Sequence, residues 1–199
     1  MEIEPKITKK LIVVGDGGCG KTSLLCVFAC DTFPDEHRPT IFDNYASIVY
    51  RLAKPIQLAL FDTAGQEDYQ QLRRLSYIDT DIVLLCFSIS SPTSLYNVRT
   101  FWIHEIRQHL PKSVPIVLVG LKLDLRNDPV TLRRLSRDKL EPVQSHEGQQ
   151  MADAIGAFAY AECSARNKIG VNRVFEIATE AALRREEQII DCKKCCVIC

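Results

Sequence analysis

Short apolar runs bounded by turn residues alternate along the chain with longer stretches whose apolar positions recur every three or four residues. The short runs read as strands buried on both faces, and the longer stretches as helices packed against them. Strands are predicted over Lys10–Val14, Ala46–Tyr50, Ile56–Phe61, Ile82–Ser88, Pro115–Gly120 and Ala157–Glu162. Helices are predicted over Lys21–Cys30, Ser91–Leu110, Ser145–Ile155 and Val171–Glu187, the last with Val171, Val174, Phe175, Ala178, Ala182 and Leu183 on one face. Such alternation marks an α/β fold with a mostly parallel sheet. One stretch is ambiguous. Asp128-Pro129 opens Asp128–Glu141 like an N-cap with proline in the first turn, and Arg133, Arg134, Arg137 and Lys139 make it basic. It reads either as a short surface helix or as a solvated loop.

At 199 residues the chain accommodates one domain, expected over 1–187, and a flexible tail over 188–199. Lys plus Arg (25) equals Asp plus Glu (25), which argues against a nucleic-acid binder with its basic stripe. No N-terminal stretch has the layout of a secretory signal. The longest apolar runs, Ile82–Phe87 and Ile116–Leu121, are too short for a bilayer, which takes roughly 20 residues. Cys19, Cys26, Cys30, Cys86 and Cys163 stand singly and read as reduced, small hydrophobes of a core. The other four cysteines crowd into the last eight residues. There Cys196-Val-Ile-Cys199 fits C-a-a-X, so Cys196 is the predicted prenylation site, with farnesyl the expected lipid. One lipid chain anchors only marginally, and Lys193 and Lys194 are too few for a polybasic patch. Cys192 and Cys195 are therefore palmitoylation candidates; the rival reading of Cys192-Lys-Lys-Cys195 as a metal site lacks a second ligand pair.

The chemistry begins at Gly15-Asp-Gly-Gly-Cys-Gly-Lys21-Thr22, a match to G-x-x-x-x-G-K-[ST] placed between a predicted strand and a predicted helix. Its glycines let backbone N–H groups converge on phosphate oxygens at a helix N-terminus. Lys21 is expected at the β- and γ-phosphates and the Thr22 hydroxyl on Mg²⁺. Asp62-Thr-Ala-Gly-Gln66-Glu follows the third strand, where Asp62 suits Mg²⁺ binding through water, Gly65 a backbone contact to the γ-phosphate, and Gln66 the orientation of an attacking water. Thr40, in Pro39–Tyr45, is placed to complete the Mg²⁺ shell.

In these motifs, and in Leu72-Arg73, Ser76-Tyr77, Asp79-Thr-Asp81, Glu162-Cys-Ser-Ala165 and the segment near 128–141, the chain resembles the Rho family of Ras-superfamily small GTPases along nearly its whole length. The resemblance implies a P-loop small-GTPase fold: a six-stranded mostly parallel sheet flanked by helices, with a short insert helix near 128–141. It implies a GTP/GDP switch with Mg²⁺ in which Gln66, Lys21, Thr40 and Gly65 serve hydrolysis. The nucleotide would meet Gly15, Asp16, Gly17, Gly18, Cys19, Gly20, Lys21, Thr22, Ser23, Phe33, Asp62, Gly65, Lys122, Asp124, Ser164, Ala165 and Arg166; Thr22, Thr40 and Asp62 would serve the metal. Phe33 matches the aromatic that packs on guanine, Asp124 the acceptor for its N1 and N2 hydrogens, and Ala165 the backbone donor to its carbonyl. Effectors would read Thr40, Ile41, Phe42, Asp43, Asn44 and Tyr45, and the stretch Tyr69–Tyr77. The implied partners are a guanine-nucleotide exchange factor, a GTPase-activating protein, a dissociation inhibitor and effector proteins. The implied form is a monomer at the cytoplasmic face of the plasma membrane, held by its lipid, with a cytosolic pool.

Four positions depart from the family pattern. Leu121 stands where the family has Asn or Thr tying the base-reading loop to the phosphate loop; it either packs or, by losing a hydrogen bond of about 1 kcal/mol, speeds nucleotide release. Arg166 replaces a lysine, His37 a tyrosine that closes over the γ-phosphate, and Phe61 stands where Rho and Rac relatives carry Trp and the Cdc42 branch carries Phe. Leu121 and Cys199 are similar to residues of some fungal members. Against the regulated GTPase stand two alternatives. A GTP-loaded scaffold that scarcely hydrolyses is opposed by Gln66 and Gly17, and a P-loop kinase by Asp124 and the lack of a lid segment.

Overall fold

The computed structural model describes residues 7–34, 42–51 and 54–196, with side chains as far as Arg185. These residues form a six-stranded sheet in the order β2-β3-β1-β4-β5-β6. The strands are β1 (Ile7–Gly15), β2 (Phe42–Arg51), β3 (Lys54–Thr63), β4 (Ile82–Ser88), β5 (Ile116–Leu121) and β6 (Ala159–Glu162). Only the β2–β3 pair is antiparallel among these pairings. β4 and β5 are buried along their whole lengths, which is why they read as continuous apolar runs rather than alternating ones.

Alternate side chains of the central strands feed two cores. Leu11, Val13, Leu84, Cys86, Val117 and Val119 face one side, under α1 (Lys21–Cys30) and α7 (Val171–Cys196). Phe28 and Phe175 stack there with centroids 3.5 Å apart, joining the two helices. Ile12, Val14, Val83, Leu85, Phe87 and Leu118 face the other side, under Leu95, Val98, Trp102, Ile106 and Ala152 of the helices described next.

The helix predicted over Ser91–Leu110 is interrupted. It consists of α3 (Pro92–Asn97), a π turn (Val98–Trp102) and α4 (Ile103–His109). The helix α2 (Gln70–Ser76), after a 3₁₀ turn at Glu67–Tyr69, has no counterpart in the apolar periodicity. Its buried side chains are Arg73 and Ser76, both polar, while Leu75 is 65% exposed, so hydrophobic pattern is blind to it. The ambiguous basic stretch is the helix α5 (Pro129–Arg137); the Asp128 carboxylate accepts from the Thr131 N–H at 2.7 Å, as an N-cap does. α6 (Ser145–Ile155) has the expected bounds and starts with a capping box between Gln144 and Glu147. α7 continues through Cys196, past the expected stop at Glu187. Cys19, Cys86 and Cys163 are buried as expected, but Cys26 is half-buried, its Sγ 3.6 Å from Tyr45 Oη, and Cys30, the last residue of α1, is exposed.

Candidate active site

Parallel pairing sets the site. β1 lies beside β3 with Val13 opposite Asp62, and beside β4 with Gly15 opposite Cys86, so the loops that leave β1 and β3 rise side by side. The backbone there tolerates no side chain. A Cβ on Gly15, whose φ is +143°, would strike the Cys86 carbonyl, and one on Gly65 would strike Gly15 O and Gly17 N. The Gln66 loop thus lies directly on the backbone of the phosphate loop. Gly20, at φ 112°, begins α1 with no side-chain cap, which leaves the first N–H groups of the helix for an anion.

Lys21 Nζ donates to Gly15 O at 2.8 Å and Asp16 O at 2.9 Å, so the buried ammonium is held inside the loop. Thr22 Oγ1 donates to Asp62 Oδ2 at 2.6 Å, and the Asp62 carboxylate is fully buried. A hydroxyl and one carboxylate are hard oxygen donors, the set that suits Mg²⁺ when phosphates and water complete the shell. Among the described residues no cluster of three or more His, Cys, Asp or Glu side chains offers an all-protein cage. Gln66 is exposed, and a Cβ added to Gly17 would come into van der Waals contact with Gln66 Cγ, at 3.7 Å. The Asp16 carboxylate is occupied elsewhere: Oδ1 accepts from Trp102 Nε1 at 2.6 Å and Oδ2 from Asn97 Nδ2 at 2.8 Å.

Behind the phosphate loop a cavity is lined by Gly20, Ser23, Phe33, Leu121, Lys122, Asp124, Leu125, Ala165 and Arg166. These come from four segments, at the start of α1, after α1, at and after the end of β5, and after β6. Leu121 is 2% exposed and packs in the core, with its Cδ1 3.6 Å from where a Cβ on Gly20 would sit. Lys122, at a left-handed φ of 61°, reaches the phosphate loop by donating from Nζ to Gly18 O at 2.6 Å. Asp124 Oδ1 accepts from Ser164 Oγ at 2.5 Å, and Ser164 Oγ accepts in turn from the Asn167 N–H at 3.1 Å. Behind this pair, Arg126 donates to both carboxylate oxygens of Glu162, which also accepts from Tyr160 Oη at 2.6 Å and Ser145 Oγ at 3.0 Å.

The Ras family model matches residues 10–184, most of the chain and all of these elements. The chain belongs to the Ras family. As a Ras-family small GTPase it is a molecular switch that binds and hydrolyses GTP. Proteins of the Ras family generally interact with exchange factors, activating proteins and effectors. Among the described residues no helix is long and apolar enough to cross a membrane.

In this Ras-family chain the sequence motifs missed the polar supports of the site. Burial pushes the Glu162 carboxyl up, but the hydrogen bonds from Arg126, Tyr160 and Ser145 more than offset it and hold it below the ordinary value. Burial, with Asp124 and Glu162 adding, pushes the neighbouring Cys163 thiol up to about 12, so it is an inert part of the core. The Arg73 guanidinium and Glu105 carboxylate, 1% and 2% exposed, form a paired bridge of 2.9 and 3.0 Å between α2 and α4. Of the predicted effector strand, Asp43 and Asn44 are exposed, and Tyr45 is half-buried with its hydroxyl 3.6 Å from Cys26 Sγ. His37, Thr40, Ile41 and Cys199 lie outside the described residues, as do the side chains of Phe42, Cys192, Cys195 and Cys196.

Proposed function

We propose that this GTPase is a Rho-type switch, acting at a membrane in polarity, cytoskeletal or cell-surface control. The observation that supports the Rho type is α5, a helix placed between β5 and α6, which exposes Val130 and Leu132 to solvent. In this reading Lys21 and the N–H groups of Gly15–Ser23 bind the phosphates, and Gly65 donates its N–H to the γ-phosphate. Thr22 and Asp62, with Thr40, would hold Mg²⁺. Mg²⁺, when bound, supplies positive charge at the phosphate oxygens where charge develops during transfer. Gln66 orients the attacking water, and Gly17, having no side chain, leaves room for an arginine from an activating protein.

Phe33 packs on the base, and Lys122, held to Gly18 O, reads it together with Asp124 from the same cavity. Asp124, preset by Ser164, accepts from guanine N1 and N2, and Ala165 donates to its carbonyl while Arg166 closes the rim. Adenine offers no such donor pair and leaves the carboxylate unmatched. Thr40–Tyr45 receive effectors. Cys196 carries a prenyl group, and Cys192 and Cys195 carry the second lipid that stable anchoring needs.

The test is GDP release and single-turnover GTP hydrolysis by the full chain with Mg²⁺, alone and with Rho-type or Ras-type activating proteins. Slow intrinsic hydrolysis accelerated by the Rho-type activator is expected. Acceleration by the Ras-type activator alone refutes the Rho assignment, and indifference to both refutes the regulated switch in favour of a GTP-loaded scaffold.

A further inference from the structure

We propose that Trp102 is a positioning residue for GTP hydrolysis, coupling the phosphate loop to the loop that carries Gln66. The proposal rests on the reading above that Gln66 orients the attacking water.

The π turn is the first observation. The Ile103 N–H reaches back to Val98 O, a five-residue span in place of the usual four. Such wide turns inside helices concentrate at functional sites. Here the turn sets the Trp102 ring, 1% exposed, between two loops of the active site. On one edge the indole Nε1 donates to Asp16 Oδ1 at 2.6 Å, a short bond to a carboxylate. Asn97, one turn earlier, donates to the other oxygen of the same carboxylate at 2.8 Å. Asp16 therefore acts as the anchor through which helix and phosphate loop share one geometry.

The opposite side of the indole carries Arg73, whose guanidinium carbon lies 4.8 Å from the ring centroid. Arg73 Nη1 donates to Ala64 O and to Gln66 O, both at 2.7 Å. Its remaining nitrogens are fixed by Glu105, which Tyr77 Oη also supports at 2.9 Å. A guanidinium is planar and its donors diverge at fixed angles, so the plane of the ring below it fixes the direction of the two bonds above. The sequence of contacts is continuous: phosphate-loop carboxylate, indole, guanidinium, and the backbone carbonyl of Gln66 itself. Every side chain in it after Asp16 is buried. Moving the indole tilts Arg73 and shifts the Gln66 backbone relative to Gly17, against which the loop already lies in contact. Orientation effects of this kind are steep, because a displacement of about 1 Å in a reacting group can cost on the order of 10²-fold.

The simpler account makes Trp102 a packing residue and the Arg73–Glu105 pair a structural brace. The two accounts part on Trp102→Phe, which keeps a ring beneath Arg73 and most of the packing but removes the N–H to Asp16. We would measure single-turnover GTP hydrolysis, GDP dissociation and thermal unfolding on the full chain for Trp102→Phe, Asp16→Ala, the double variant and Gln66→Ala. Positioning predicts hydrolysis slowed about five- to tenfold in Trp102→Phe, with GDP dissociation within about twofold of the parent. Asp16→Ala should be at least as slow, because it also removes the bond from Asn97, and the double variant should be no slower than Asp16→Ala alone, because that variant already lacks the bond to Trp102. Hydrolysis at the parent rate in Trp102→Phe, with Gln66→Ala slow, overturns the proposal. So do losses that multiply in the double variant, or a slowed rate that only follows a general loss of nucleotide affinity and melting temperature. A parent rate in Gln66→Ala overturns the reading of Gln66 instead, and the proposal with it.

Discussion

Glu105→Gln tests the buried brace through stability rather than rate. The carboxylate accepts from Arg73 Nε at 2.9 Å, Arg73 Nη2 at 3.0 Å and Tyr77 Oη at 2.9 Å, with its side chain 2% exposed. Glutamine preserves the shape but turns one acceptor oxygen into an NH₂. At least one of those donors then faces another donor, and the Arg73 charge loses its counter-ion. Breaking a buried pair costs about 3–5 kcal/mol. Arg73 keeps Ala64 O, Gln66 O and the Trp102 ring as partners, so the lower end, about 3 kcal/mol, applies. For a domain of this size that corresponds to a fall of about 6–12 °C in Tm, read by thermal unfolding of the GDP-bound full chain at one fixed nucleotide concentration. The effect has a pH signature. Burial pushes the Glu105 carboxyl up, but the hydrogen bonds and charge of Arg73, with Tyr77 and Gln70, prevail and leave it below its ordinary 4.5. A carboxyl lowered in the folded state stabilises fully above its unfolded pKa, and that contribution fades as pH falls through the folded value. The Tm gap between parent and variant should therefore be widest near neutrality and narrow in acid. A Tm within about 2 °C of the parent at pH 7, or a gap that is the same at about pH 4, would refute the reasoning.

Three further outcomes are expected. Leu121→Asn should slow GDP release about fivefold by giving the phosphate loop a hydrogen-bonding neighbour in place of an apolar one; an unchanged off-rate means Leu121 serves only as packing. Gly17→Val sets a branched side chain against Gln66 Cγ and takes the room an incoming arginine needs, so nucleotide binding should persist while activator-stimulated hydrolysis falls by about 10³-fold, measured as single-turnover rate with saturating activator. Arg126→Ala unfastens the loops after β5 and β6 at Glu162, so GDP affinity should drop about tenfold or more by fluorescent-nucleotide titration, with the ratio of GDP to ADP binding reduced as well.

Much of the architecture was legible because burial wrote it into the chain. β4 and β5 are wholly buried and apolar but for Ser88 and Gly120, and α1 and α6 have the predicted bounds. Lys21, Thr22 and Asp62 were legible for another reason: each sits in a motif whose neighbours already fix its backbone. The 2.6 Å contact between Thr22 and Asp62, 40 residues apart, follows once the two motifs end adjacent strands. Other contacts leave no trace along the sequence. α2 hides because what it buries is an arginine and a serine. The bond from Trp102 to Asp16 spans 86 residues and depends on a helical irregularity that no propensity announces. Asp16 stands among the expected nucleotide contacts by its place in the glycine-rich run, and the hydrogen bonds its carboxylate accepts from Asn97 and Trp102 leave no sign there.

The π turn also sets the phase of the segment that contains it. A regular helix advances about 100° and 1.5 Å per residue, so one additional residue in a turn carries everything after it around the axis by that amount. The wide turn absorbs its extra residue: Leu95 before it, Val98 and Trp102 at its two ends and Ile106 after it all reach the same core. Loss of one codon within Val98–Trp102 would restore the ordinary period and leave composition almost untouched. It would also rotate either the indole away from Asp16 or the apolar stripe away from the sheet. Alignment of this segment against a helix without the wide turn therefore requires a gap of one, placed inside an otherwise unbroken helix.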